Sequence, residues 1–249
     1  MSKYPVELRT EWKCPEQGGA PLLTMPPLPK PCHRLCPRNI MGRSEWDKTR
    51  KKVYFLAGYK SEISGEDGSM PGNLHNHEGY DIDYTKGTCT FKRYFAITPL
   101  EHVYFIHSGR AITLHKGKNP LYPASKMLEG AEHGFKLIYE WNKAHPDEPK
   151  LKVHDTFLDW LKCDDLTEGM EKLIEKYEIE FWAEDKKKLA KWGDWRLVYN
   201  GEEYKTPYED VHAWEKAMKE LGGEDSDRKA TNPFVGGAFD EIASLLEEA

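Results

Sequence analysis

Two segments of alternating apolar and polar residues, LHNHEGYDIDY (74–84) and TCTFKRYFAIT (88–98), flank the turn-forming pair Lys86-Gly87. Alternation of period two puts every second side chain on one face, and so short a connection makes the segments antiparallel. A β-hairpin is therefore predicted at the centre of the chain, and it carries chemistry. His75 and His77 project from one face, while Asn76 points away. Pro99 suits the first turn of a following helix, PLEHVYFIH, which Gly109 would end. On an ideal α-helix the five-residue step from His102 to His107 leaves them ~140° apart. They would not share a face, so one meets the strand histidines only if the other sits at a helix end.

Punctuation divides the rest of the chain. Residues 1–43 form a proline-rich N-terminal arm, in which Pro21, Pro26, Pro27, Pro29, Pro31 and Pro37 prevent a continuous helix. A module over 44–118 follows. It opens with a helix, RSEWDKTRKKVYFLAGYK, that has Ser44 as N-cap and Gly58 as stop. Residues 119–221 read as mainly helical, with helices over 123–145, 154–162, 166–178 and 183–191. Within that region Asn200-Gly201 marks a second hairpin, and PYEDVHAWEKAMKEL a further helix. Residues 222–249 read as a polar linker and an amphipathic tail helix. The expected class is α+β.

The chain has no apolar run near the ~20 residues of a membrane helix, and its N-terminus lacks the apolar core of a signal peptide. A cytoplasmic protein without membrane association is expected, in the host cytoplasm if phage-encoded. Five cysteines, an odd number, argue against a disulfide framework. The net charge of -6 gives no global attraction to nucleic acid, so a binder would need a local basic patch.

The hairpin histidines, with one more on the helix behind them, have the layout of a one-metal nuclease site. Between residues 44 and 112, EWDKTRKKVYFLAGYKSEISG, LHNHE and FIHSGR resemble the HNH (ββα-metal) endonuclease family, in particular a phage and bacterial branch. The resemblance implies a small ββα-metal module with His77 as general base and His75 and His107 as ligands of a catalytic divalent ion, Mg²⁺ or Mn²⁺. His102 is a further candidate ligand, with Asn76 and Glu78 weaker ones. Arg110 is implied as a phosphate contact, since a guanidinium suits that geometry. Where the branch carries zinc-binding cysteines, this chain has Ser61, Ser64, Thr98 and His102. A four-sulfur site cannot form there, so structural zinc is not expected at the usual family position and the chain reads as a degenerate member.

Other features allow chemistry but also have ordinary explanations. Cys14, Cys32, His33 and Cys36 are a possible alternative zinc set, although their spacing is a weak pattern and incidental thiols weigh more. DKTRKK, which contains Arg50, Lys51 and Lys52, forms the most basic region together with Lys60, Lys92 and Arg93. It is a candidate nucleic-acid surface or a solvated helix face in equal measure. Trp195, Val198, Tyr199, Tyr204, Tyr208 and Trp214 read as a small core before they read as a stacking surface.

The leading expectation is metal-dependent phosphodiester hydrolysis if the site is active, on nucleic acid, with DNA ahead of RNA. The alternative is a catalytically inactive relative that binds or inhibits a protein or nucleic-acid partner. A structural or assembly component is the third. The first depends on the rings at 75, 77 and 107 meeting around one point.

Overall fold

The computed structural model of the protein describes residues 3–220. In chain order these are β1 (Val6–Arg9), β2 (Glu11–Trp12), α1 (Pro37–Met41), α2 (Arg43–Leu56), β3 (His75–Asp83), β4 (Thr88–Ile97), a π-helical segment (Glu101–Ile106) and α3 (Ser108–Lys116). They continue with α4 (Ala124–Ala144), β5 (Val153–His154), a 3₁₀ helix (Asp155–Lys162), α5 (Asp164–Lys176), β6 (Phe181–Glu184), β7 (Arg196–Tyr199), β8 (Glu202–Lys205) and α6 (Val211–Glu220). The class is mixed α+β, as expected. Residues 222–249, read above as linker and tail helix, lie outside the described residues.

Two sheets organise the chain. The larger has the order β2-β3-β4-β7-β8, and the smaller the order β1-β6-β5. The β3–β4 hairpin pairs antiparallel from His75↔Ile97 to Asp83↔Thr88, with a register shift at Gly79/Tyr80. Its connection is closed by Asp83, whose Oδ1 accepts from the Thr85 and Lys86 amides at 3.0 Å each. The second hairpin turns at Asn200 and Gly201, both at positive φ, as a two-residue turn matching strand twist requires. The smaller sheet is parallel throughout.

The N-terminal arm is woven into both sheets. β1 pairs with β6, and β2 pairs with β3. After these strands, Leu22, Leu23 and Cys32 are buried in the same apolar core as Phe95, Phe135 and Trp182. The prolines thus limit helix in the arm to short pieces while its apolar residues still join the core.

Two expectations are corrected. Residues 183–191 do not form a helix: the apolar run Phe181–Ala183 fills the place between β1 and β5, and the polar residues after it make a turn closed by Asp185. Gly109 does not end a helix but lies inside α3, and the segment before it is π-helical. That segment packs on α4 at Gly130 and Gly134. A Cβ at Gly134 would lie 2.1 Å from the Phe105 ring, and one at Gly130 2.5 Å from Tyr104. These two glycines on one α4 face let the π segment sit hard against the helix. Phe105 completes the joint, with its ring 4.8 Å from Phe157 and 5.6 Å from Phe135. Truncation of such a fully buried ring costs about 3–5 kcal/mol, so the segment that bears two of the histidines is firmly anchored.

Candidate metal centre

His75 and His77 lie on one face of β3, and the π segment delivers His102 and His107 to that face. The backbone explains why the second pair meets. The His107 amide donates to the His102 carbonyl at 3.1 Å, an i→i+5 bond that widens the turn beyond the α-helical spacing. Residues five apart then meet, with ring centroids 4.6 Å apart in an edge-on arrangement. The α-helical expectation that they diverge is therefore wrong, and the π turn is the reason.

The rings converge on His102. Its Nε2 lies 3.1 Å from His77 Nδ1 and 3.0 Å from His107 Nε2, and its Nδ1 lies 2.8 Å from His75 Nδ1. Potential ligand atoms of His77, His102 and His107 all fall within 4.8 Å of one another. Four nitrogens on one tetrahedral ion at ~2.0–2.1 Å would be ~3.3 Å apart, so the observed spacing fits a common ion. A proton on His102 Nδ1, donated to His75, leaves the His102 Nε2 lone pair facing His77 and His107. The meeting point is thus made by 77, 102 and 107. His75 stands behind His102, within hydrogen-bond distance of its Nδ1, where the resemblance implied a ligand at 75.

The rings are kept neutral. Burial pushes His75 down to about 4. Burial, then the Arg110 charge, pushes His107 down to about 3. His77 and His102 are held well below the ordinary imidazole value, mainly by burial and then by the other rings. A metal ligand must be unprotonated, so at neutral pH all four present lone pairs without competition from protons.

Two guanidinium groups flank the cluster. Arg110 on α3 acts on both His102 and His107. Arg38 on α1 acts on His107 and on Glu78, whose carboxyl is raised to about 7, by burial first, against the pull of Arg38. Arg38 had no motif to mark it. On the opposite face of β3, Asn76 is buried and neither amide atom has a hydrogen-bond partner.

The other candidates are dispersed. Arg50 pairs with Asp47 at 2.8 Å, Lys92 with Asp81 at 3.4 Å, and Arg93 with Glu62 and the Glu16 carbonyl. Lys51 and Lys52 are exposed on α2. Cys14, Cys32, His33 and Cys36 do not form a group of metal-ligating atoms among the described residues. His33 uses Nε2 on the Leu28 carbonyl at 3.0 Å and accepts from Trp214 Nε1 at 3.2 Å on Nδ1. Cys32 lies instead against Cys89. Of the six aromatic-segment residues read as a small core, Trp195 and Tyr199 join the main core, Tyr208 is buried, and Val198, Tyr204 and Trp214 are half-buried.

Between the turns that carry Ser61 and Thr98 sits a carboxylate. Glu101 is fully buried. Its Oε2 accepts from Ser61 Oγ at 2.7 Å and from the Thr98 amide at 2.7 Å, and its Oε1 lies 3.4 Å from His133 Nε2. Ser61 Oγ in turn accepts from the Ile63 and Ser64 amides. The turn at 61–64 and the turn at 98–101 are thereby joined through one side chain. Comparison with family models, with curated proteins and with solved structures gives no match to this chain.

Proposed function

We propose that the protein is an HNH-like, metal-dependent phosphodiesterase acting on nucleic acid, DNA in preference to RNA. The observation that supports this reading is the convergence of His77 Nδ1, His102 Nε2 and His107 Nε2 within 4.8 Å, all held unprotonated. When bound, a divalent ion supplies positive charge to the scissile phosphate in its transition state and makes nearby water more acidic. His102 and His107 bind it, and His75 orients His102. Three imidazoles favour Mn²⁺ or Zn²⁺ over Mg²⁺, which prefers oxygen ligands. Arg110, with Arg38 close behind, presents guanidinium charge to the phosphate beside the rings.

His77 has two possible roles. Its Nδ1, only 3.1 Å from His102 Nε2, supports a third ligand over a separate base, because a base needs room for water between itself and the ion. His77→Ala separates the roles: loss of metal affinity marks a ligand, and retained metal without cleavage marks a base.

The test is incubation of the purified full chain with plasmid DNA and structured RNA, in Mn²⁺, Zn²⁺ or Mg²⁺ against EDTA. Cleavage that needs metal and disappears in His77→Ala and His102→Ala is expected. Cleavage that persists in both variants overturns the mechanism. A binding role without catalysis is favoured by the internal pairing of Arg50, Lys92 and Arg93, which leaves less charge for phosphates. No cleavage and no DNA binding in any metal would select that role, with a protein as the partner.

A further inference from the structure

A second group of convergent side chains lies outside the imidazole cluster and shares no residue with it. β5 and β6 run parallel with His154↔Trp182 in register, and β1 flanks β6 with Arg9↔Glu184. The carboxyl ends of these strands carry His154 and Glu184, with Asp155 next along the chain from His154. In parallel sheets this edge is where ligands bind. Potential ligand atoms of His154, Asp155 and Glu184 lie within 4.8 Å of one another. His154 Nε2 is 3.0 Å from Glu184 Oε2, and His154 Nδ1 is 3.4 Å from Asp155 Oδ1.

A plain hydrogen bond explains part of this. The Thr156 amide donates to His154 Nδ1, so the neutral ring would carry its proton on Nε2 and donate to Glu184. It does not explain Tyr84. The Tyr84 side chain is 97% withdrawn from solvent, from a relative exposure of 3%, and its hydroxyl has no hydrogen-bond partner. Both Glu184 and Asp155 act on that phenol. A buried hydroxyl in the field of two carboxylates, with nothing to bond, suits a polar occupant nearby. Asp155 and Glu184 also repel one another, which a cation would reverse.

We propose that His154, Asp155 and Glu184 form a second divalent-cation site, with Tyr84 accepting a hydrogen bond from water on the ion. Ion binding switches the ring to the tautomer with its proton on Nδ1, which gives up the bond from the Thr156 amide and donates to the Thr156 hydroxyl instead, and the Nε2 lone pair is then presented beside Glu184. One imidazole with two carboxylates suits Mn²⁺, because the oxygens are hard ligands and the ring is a borderline one. Asp155 and Glu184 are partly exposed, so the ion enters from solvent.

The full chain, stripped with chelator, is titrated with MnCl₂ and free Mn²⁺ is followed by electron paramagnetic resonance. Two ions per wild-type chain are expected, one per chain for Glu184→Gln or Asp155→Asn, and one for His102→Ala. Tyr84→Phe should keep both ions while weakening one by about tenfold. Near-UV circular dichroism identifies any variant that fails to fold, and the remaining carboxylate variant then carries the test. A wild-type chain that binds one ion, lost in His102→Ala and kept in Glu184→Gln, overturns this second site and leaves the proposed nuclease centre standing. One ion lost only in Glu184→Gln does the reverse.

Discussion

Glu101 and His102 are neighbours in sequence and sit in opposite kinds of polar cluster. Glu101 is fully buried and its two oxygens are met by Ser61, Thr98 and His133. His102 is surrounded by rings alone, with His75 on one nitrogen and His77 and His107 together on the other. The carboxylate cluster is complete as it stands, with donors matched to acceptors. The imidazole cluster directs two rings at a single lone pair. A polar cluster whose groups satisfy one another stabilises the fold. One whose lone pairs converge without a donor for each is arranged for something else.

The contrast breaks most directly on metal. Mn²⁺ at about a thousand times its dissociation constant for this centre should add ~4 kcal/mol from it to chelator-stripped protein in urea unfolding, and His102→Leu should lose that gain. If stripped wild-type protein gains nothing from Mn²⁺, Zn²⁺ or Mg²⁺, the rings are as self-sufficient as the carboxylate.

Substitution should separate the two clusters next. Glu101→Leu strands the Thr98 amide, the Ser61 hydroxyl and His133, and should cost about 3 kcal/mol in metal-free protein. His102→Leu under the same conditions should cost about 1 kcal/mol, because an apolar side chain in place of the central ring relieves its crowding. Equal losses in denaturant midpoint would erase the distinction.

Acid should act on the rings first. Their folded pKa values lie below that of an unfolded imidazole, so the unfolded state binds protons more readily as pH falls below ~6.5. Their contribution is complete above that value and is lost on acidification. For His75, which burial holds at about 4, the loss is roughly 3 kcal/mol by the time pH has dropped through that value. Midpoints measured from pH 7 to pH 4 should fall, and bound metal should steepen the fall, because protons and ion compete for the same lone pairs.

The smallest effect has the opposite sign. Hydrogen bonding to Glu101 raises His133 above the ordinary value. This stability is complete below ~6.5 and is lost as pH rises through the folded pKa. It should amount to under about 1 kcal/mol and vanish in His133→Gln. Burial tends to raise Glu101, but bonds from His133, Ser64, Ser61 and Thr98 outweigh it and hold the carboxyl low. Its contribution is present above ~4.5 and is lost only in stronger acid. The rings outnumber His133, so the net slope between pH 7 and pH 5 should follow them.

Part of the site was legible along the chain. His75 and His77 share a face because strand periodicity is two, and that holds wherever the strand packs. α-Helical spacing predicts that only one of His102 and His107 meets them, whereas the π turn brings both. The π turn depends on Gly130 and Gly134 of α4, some thirty residues on, admitting Tyr104 and Phe105. Nothing within PLEHVYFIH announces it. The Glu101 cluster was equally hidden, since its partners come from three separate segments.

Local patterning by itself determined the two hairpins, most of the helices and the absence of an uninterrupted helix in the arm. These follow from periodicity, turn residues and proline, and each acts over a few residues. Tertiary structure decided what sequence distance concealed. It made Phe181–Glu184 a central parallel strand, drew the arm into both sheets, and brought His154 to Glu184 across thirty residues. Such pairings are fixed by which buried surfaces fit together, and that is a property of the whole packed chain rather than of any one segment.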